Sequence, residues 1–211
     1  MCDAAMMPLP LGESVTVAED SLAAQTAAIA TALPDRPVVL GGCCCSHIGA
    51  VAGLAQRHGR IGVVWLDAHG DLNTPQSSPS GNEWGMPFRI VLDDGYAAVG
   101  DCVLIGARSL DPAEEEFIAE TKLAHSKDDL ERVLDGVDGV YVAFDFDVLD
   151  PDQIACFMPE PGGISLDEAV AIVERVSARV PVLGLGLTAL VSAPENVPKL
   201  LRVCDAAGLA E

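Results

Sequence analysis

A three-layer αβα fold, with a doubly wound and mostly parallel sheet at its centre, is what this sequence predicts. Three observations carry the prediction. Apolar, β-branched runs alternate with stretches of helical length along the chain, and that alternation is the pattern of β-α-β units and a parallel sheet. The run Val63-Val64-Trp65-Leu66 is apolar at every position, as befits a strand covered by helices on both faces. The 211 residues suffice for one domain with a large core, and no internal repeat or low-complexity linker divides them.

Each element follows in order. Residues 1–18 read as irregular, with Pro8 and Pro10 breaking any regular structure. The Ala-rich stretch from Asp20 to about Leu33 predicts a helix capped by Asp20 or Ser21. Pro37-Val38-Val39-Leu40 is a short strand that runs into Gly41-Gly42, a pair that permits a tight turn. A helix from Ser46 to about Arg57 and a strand from Ile61 to Leu66 come next. Asn73 to Gly85 is a long polar loop, and Met86 to Leu92 is helical. The strand of Asp101 to Gly106 leads to a helix that begins near Asp111-Pro112, where proline suits a first turn. Lys122 to His125 reads as a short strand, Lys127 to Leu134 as a helix and 139–144 as a strand. Ser165-Leu166-Asp167-Glu168 has the capping-box pattern and opens a helix to about Arg179. Pro181 to Leu187 is the last strand, and a helix from about Pro194 to Ala207 ends the chain.

Composition narrows the function. A net charge of −20 argues against nucleic acid or an anionic membrane as partner and favours cations, metals included. No uncharged apolar run is long enough to cross a membrane, and the first residues lack the basic region of a signal peptide, so a soluble cytoplasmic protein is expected. The seven cysteines form no evenly spaced framework, which points to reduced thiols.

The chemistry gathers at two strand ends. Val63 to Leu66 leads into Asp67-Ala68-His69-Gly70-Asp71, and Val140 to Phe144 leads into Asp145-Phe146-Asp147. Alternate residues of an extended chain point the same way, so each strand should present its ligand-type side chains together. Open α/β sheets bind their ligands at this carboxyl edge. Oxygen-rich coordination suits Mg or Mn, and the imidazole tilts the choice towards Mn, Fe or Zn. The polar loop after Asp71 is a candidate substrate loop.

These motifs together resemble the arginase/agmatinase (ureohydrolase) family. The similarity lies in Asp67-Ala68-His69-Gly70-Asp71-Leu72-Asn73-Thr74-Pro75, Ser80-Gly81-Asn82 with Gly85-Met86-Pro87, Phe144-Asp145-Phe146-Asp147-Val148-Leu149-Asp150-Pro151, and Gly41-Gly42 with Cys44. It spans roughly residues 36 to 207, and the family's usual N-terminal strand has no counterpart here. The resemblance implies one arginase-like domain over residues 1–211 and a homo-oligomer, trimer or hexamer. It implies two divalent ions, Mn first. A hydroxide bridging them would attack the guanidino carbon of arginine or a modified guanidino amino acid, releasing urea or a derivative. Carried over by position, Cys44, Asp67, His69, Asp71, Asp145 and Asp147 would be metal ligands, with Asp71 also catalytic beside the hydroxide. Asn73, Ser80, Asn82, Asp111 and Glu114 would bind the substrate's amino-acid end.

Three departures from the family pattern bear on activity. Cys44 stands at a histidine ligand's place, with His47 three residues on; a thiolate there would shift preference towards Zn or Fe. Trp84 replaces a histidine and cannot shuttle protons. In Gly184-Leu185-Gly186-Leu187-Thr188-Ala189, Gly186 and Ala189 replace an Asp and the Glu that clamps the guanidinium. The expectation is therefore a reacting group less basic than guanidinium. The competing reading is a catalytically silent homologue that binds metal or amino acid, alone or as a partner subunit.

Overall fold

The computed structural model describes residues 14–210. The irregular start read over residues 1–18 falls mostly outside them, and residues 14–18 carry no regular element. The elements, in chain order, are α1 (Leu22–Ala32), β1 (Val38–Leu40), α2 (Cys45–His58), β2 (Gly62–Leu66), α3 (Pro87–Asp93), β3 (Cys102–Ile105), α4 (Pro112–Thr121), α5 (Leu130–Leu134), β4 (Val140–Asp145), α6 (Leu166–Arg179), β5 (Val182–Thr188) and α7 (Val197–Ala206). The strands form one sheet in the order β1-β5-β4-β2-β3, and every neighbouring pair is parallel.

Side-chain alternation builds a core on each face of this sheet. Val64, Leu66, Val103, Val142 and Phe144 pack with residues of α5, α6 and α7. Val63, Trp65, Leu104, Tyr141 and Ala143 pack with residues of α1, α2 and α3. All of these strand positions are fully buried, each large aliphatic contributing about 1.5–3 kcal/mol of transfer free energy. The result is the expected three-layer αβα arrangement. The chain leaves β2 for β3 on one side while β4 lies on the other, so the carboxyl ends of β2 and β4 flank a switch point of the sheet.

Local chemistry accounts for most element ends. Ser21 Oγ accepts from Ala24 N at 3.2 Å and caps α1. Ser165 Oγ accepts from Glu168 N at 3.1 Å, but the Glu168 carboxylate goes to Lys127 rather than back to Ser165, so only half of the capping box forms. Three readings need adjustment. Lys122–His125 is not a strand: Ala124 makes a single bridge to Val103, because Lys122 takes a left-handed conformation (φ 57°) and turns the chain away. The predicted 127–134 helix begins as a 3-10 turn over Lys127–Asp129. The last helix likewise begins as a 3-10 turn over Pro194–Asn196.

Candidate metal centre

The ligand-type residues converge, though not by strand alternation. β2 ends at Leu66 and the chain then turns: Asp67 Oδ1 accepts from His69 N at 2.7 Å. Asp71 adopts φ 52°, a left-handed state that aspartate visits more readily than most residues and that marks sites under constraint. In β4 only Asp145 is extended. Its Oδ1 accepts from Asp147 N at 2.9 Å and closes the 3-10 turn Phe146–Val148. Turns, not pleats, swing these carboxylates together. Gly70 is the residue the bend requires, since a Cβ there would stand 2.7 Å from Glu114 Oε1.

Two clusters result, and they share Asp67. Cys44, Asp67 and Asp71 offer donor atoms within 4.8 Å of one another, and so do Asp67, His69 and Asp147. Asp67 Oδ2 accepts from Trp65 Nε1 at 3.1 Å and lies 3.8 Å from Cys44 Sγ. His69 Nδ1 sits 3.0 Å from Asp147 Oδ2 and 3.5 Å from Asp67 Oδ1. Asp147 Oδ1 accepts from Ala68 N at 3.0 Å, tying the two strand ends together. Asp145 adjoins the first cluster: its Oδ2 accepts from Cys44 Sγ and from Thr188 Oγ1, each at 2.9 Å.

Electrostatics shows what this crowding costs without cations. Burial, then the Asp147 charge, pushes Asp145 up to about 8. Burial and Asp67 push Asp147 up to about 6. Asp71 is held well above the carboxylate range by burial and by Asp67 and Asp145. Burial also raises the Cys44 thiol, helped by the charges of Asp145, Asp71 and Asp67. At His69 burial opposes protonation, but Asp147 and Asp67 outweigh it and hold the imidazole up at about 11. The buried Asp71 Oδ2 has no hydrogen-bond partner, which is costly for a group of this kind. One unmet carboxylate oxygen, mutually repelling carboxylates, one imidazole and one thiol form a donor set that fits divalent cations.

His47, the other candidate beside Cys44, faces away from the clusters. Its Nδ1 is 2.9 Å from the Tyr141 hydroxyl and its Nε2 3.2 Å from Thr188 Oγ1, and burial drives its pKa down to about 3. Both ring nitrogens are thus engaged, and Thr188 links this imidazole to Asp145.

The expected amino-acid-binding residues divide into three kinds. Asn73, Ser80, Asp111 and Glu114 line the same cleft as the clusters, together with Trp84, Phe157, Met158, Glu160 and Ala189. Glu114 is saturated: Oε1 accepts from Leu72 N and Oε2 from Asp111 N, both at 2.9 Å. It holds the turn in place rather than presenting a free carboxylate. Asn73 is tied at both ends, Nδ2 donating to Asp111 Oδ2 at 2.8 Å and Oδ1 accepting from Ser77 Oγ at 2.9 Å. Ser80 is exposed on the rim, and its Oγ accepts from the backbone N of Asn82, which lies outside the cleft lining.

Sequence similarity now identifies the scaffold. A sequence model of the arginase family matches residues 1–191. The chain belongs to the arginase family. It is 37% identical over 166 residues to an arginase of Bacillus subtilis (strain 168), covering 66% of this chain and 56% of that protein. It is 38% identical over 168 residues to an arginase of Bacillus caldovelox, covering 67% of this chain and 56% of the relative. The chain therefore spans about half the length of the curated relatives it matches. A crystal structure of arginase from Bacillus subtilis superposes with a TM-score of 0.81 at 28% identity, over 91% of this chain and 79% of that one. Within this arginase-family frame the three departures have visible surroundings. Trp84 is 41% exposed at the cleft mouth. Ala189, left-handed at φ 57°, lines the cleft floor. Gly186 faces a filled volume, because a Cβ there would fall on the Tyr141 hydroxyl and the His47 ring.

Sequence reasoning missed Glu160, Thr188 and Tyr141, none of which sits in a motif with its own chemical signature. It also gave Arg108 no role, although that guanidinium fixes the loop beyond β4 by donating to the carbonyls of Asp147 (2.8 Å), Val148 (3.2 Å) and Glu160 (2.7 Å).

Proposed function

We propose that this arginase-family chain is a hydrolase that uses two divalent metal ions to cleave the guanidino group of an amino acid, arginine or a modified arginine, releasing urea or a urea derivative. The observation that carries the reading is the pair of donor clusters sharing Asp67 at the carboxyl edge of the sheet. Cys44, Asp67 and Asp71, with Asp145 adjoining, would hold one ion, and Asp67, His69 and Asp147 the other. Manganese suits the oxygen-rich set, while Cys44 draws the first position towards Zn or Fe. When bound, such ions supply Lewis acidity and lower the pKa of water to near neutrality.

The chain's own residues do the rest. Asp71 Oδ2, buried and without a hydrogen-bond partner, would take a proton from the attacking water and return it to the departing nitrogen. Asp111, at the N-terminus of α4, is the carboxylate for the substrate's ammonium group. Trp84, Phe157 and Met158 form an apolar rim that excludes water from the reacting end.

Elemental analysis of the purified protein, followed by a urea-release assay on arginine, tests this. Near two ions per chain with urea formation supports the hydrolase. Protein that takes up no divalent ion sinks it and favours the silent homologue.

A further inference from the structure

Ala189 leaves the floor of the cleft without the carboxylate that would meet a cationic side chain. The fold brings another acid to the same place. The loop after β4 returns over the end of β5, where Cys156 pairs with Leu190 as an isolated antiparallel bridge and Phe157 N donates to Ala189 O at 2.7 Å. Three residues on, Glu160 lines the cleft that also contains Ala189, Asp145 and Asp147. Its side chain is 34% exposed, and the nearest basic group is His69, whose Nε2 stands 3.7 Å from Oε1, beyond hydrogen-bonding distance.

The backbone around this acid is pinned, while its carboxylate accepts no hydrogen bond among the described residues and has only the His69 imidazole within ion-pair distance, at 3.7 Å. Arg108 donates to Glu160 O at 2.7 Å and to Pro161 O at 3.0 Å, and the same guanidinium holds Asp147 O at 2.8 Å. One side chain thereby sets Glu160 in register with a ligand of the second cluster. The cleft's other acids outside the clusters have other work: Glu114 accepts from two backbone N–H groups, and Asp111, which accepts from Asn73, would meet the substrate's ammonium end. Two divalent ions would balance the clustered aspartates, so a cationic group entering beside them needs a counter-charge of its own. A planar guanidinium suits a carboxylate in a partly desolvated cleft.

We propose that Glu160 is the specificity-determining carboxylate of this chain, receiving the guanidinium end of the substrate from the loop after β4 in place of a residue at position 189. The inference rests on the reading of the cleft as a site for a guanidino amino acid. It also reverses the expectation that the reacting group must be less basic than guanidinium.

L-Arginine and L-citrulline are near-isosteric and differ at the reacting end in charge, so together they isolate the contact. Their dissociation constants are measured by calorimetry on the full-length, Mn-loaded protein, with the KM used for arginine if it is turned over. The wild type should bind arginine at least about tenfold more tightly than citrulline, the value of one charge-assisted contact. Glu160→Gln should weaken arginine about tenfold while leaving citrulline affinity and metal content unchanged. An unchanged arginine-to-citrulline ratio in Glu160→Gln overturns the proposal, as does a loss of bound metal, which would make Glu160 a positioning residue for His69. Equal binding of both compounds by the wild type overturns it while the amino-acid site stands. Binding of neither removes that site and the proposal with it.

Discussion

Tyr141 and His47 share the volume that a side chain at position 186 would need: the Tyr141 hydroxyl lies 2.9 Å from His47 Nδ1, and a Cβ on Gly186 would collide with both. A buried, neutral network fills the volume beside this position. Tyr141, His47 and Thr188 run as a chain of hydrogen bonds to Asp145 Oδ2.

Gly186→Asp should therefore destabilise the protein. Overpacking costs about 1–3 kcal/mol, equivalent to a fall of several degrees in thermal midpoint for a chain of this size. Gly186→Ala should lower the midpoint less, since it adds only the colliding Cβ. Calorimetry of both variants checks this, and an unchanged midpoint for Gly186→Asp would show that the network yields freely.

Sharing of Asp67 makes a stoichiometric prediction. Asp67→Ala should bring bound metal from near two ions per chain to near none, because both clusters lose a donor. Cys44→Ser should spare the cluster of Asp67, His69 and Asp147 and leave about one ion. Elemental analysis after dialysis reads both, and retention of two ions by Asp67→Ala would contradict the shared geometry.

Stability of the metal-free protein should fall as pH rises from 6.5 to 8. Asp145 is raised to about 8 in the fold, against about 3.9 in an unfolded chain. The folded state thus holds a proton the unfolded state has lost. That stabilisation is complete below the unfolded pKa and disappears as pH rises through 8. His47, depressed to about 3, acts in the opposite sense, its stabilisation being lost as pH falls through about 6.5, so it only slightly offsets the trend at the lower end of the tested window. Thermal midpoints after chelation should drop across this range. Saturating Mn or Zn should flatten the slope, since bound cations favour ionised carboxylates.

Much of this was legible in the sequence, and the remainder has physical reasons. The strands could be read because both faces of the sheet are buried, leaving β2 and β4 apolar without interruption. The clustered side chains could be picked out because Asp67, His69, Asp71, Asp145 and Asp147 lie within short motifs. Their means of convergence could not, since the turns at Asp67 and Asp145 depend on side-chain-to-backbone hydrogen bonds that no periodicity reports. Glu114 looked like a binding acid because spacing does not reveal that backbone N–H groups saturate it. Glu160 was invisible because its role depends on a loop folding back onto β5, a contact with no local signature.

Arg108→Ala should loosen that loop. The side chain serves the carbonyls of Asp147, Val148 and Glu160, and its removal leaves those of Asp147 and Glu160 without a donor, while Val148 O keeps Ile164 N. A loss of about 2–4 kcal/mol is expected for a multiply bonded charged group. Hydrogen exchange should rise over residues 147–161 and not in α1. Uniform exchange across the chain would instead mark a global loss of stability.

Trp84 is the last test of the catalytic reading. The indole stands 41% exposed at the cleft mouth and offers a donor but no transferable proton at neutral pH. On the proposed reading, proton delivery to the departing nitrogen would be left to Asp71, and turnover of a guanidino amino acid should be slow. Trp84→His supplies a group with a pKa near 6.5 on the short 3-10 turn Glu83–Gly85, at the edge of the cleft. General acid–base assistance is worth about 10²–10⁴ in rate, so kcat for urea release should rise by about a hundredfold with KM little altered. The pH–rate profile should gain a limb near neutrality. If metal content stays at two ions and neither kcat nor the profile moves, position 84 lies outside proton-transfer reach, and the slow step belongs elsewhere in the cleft.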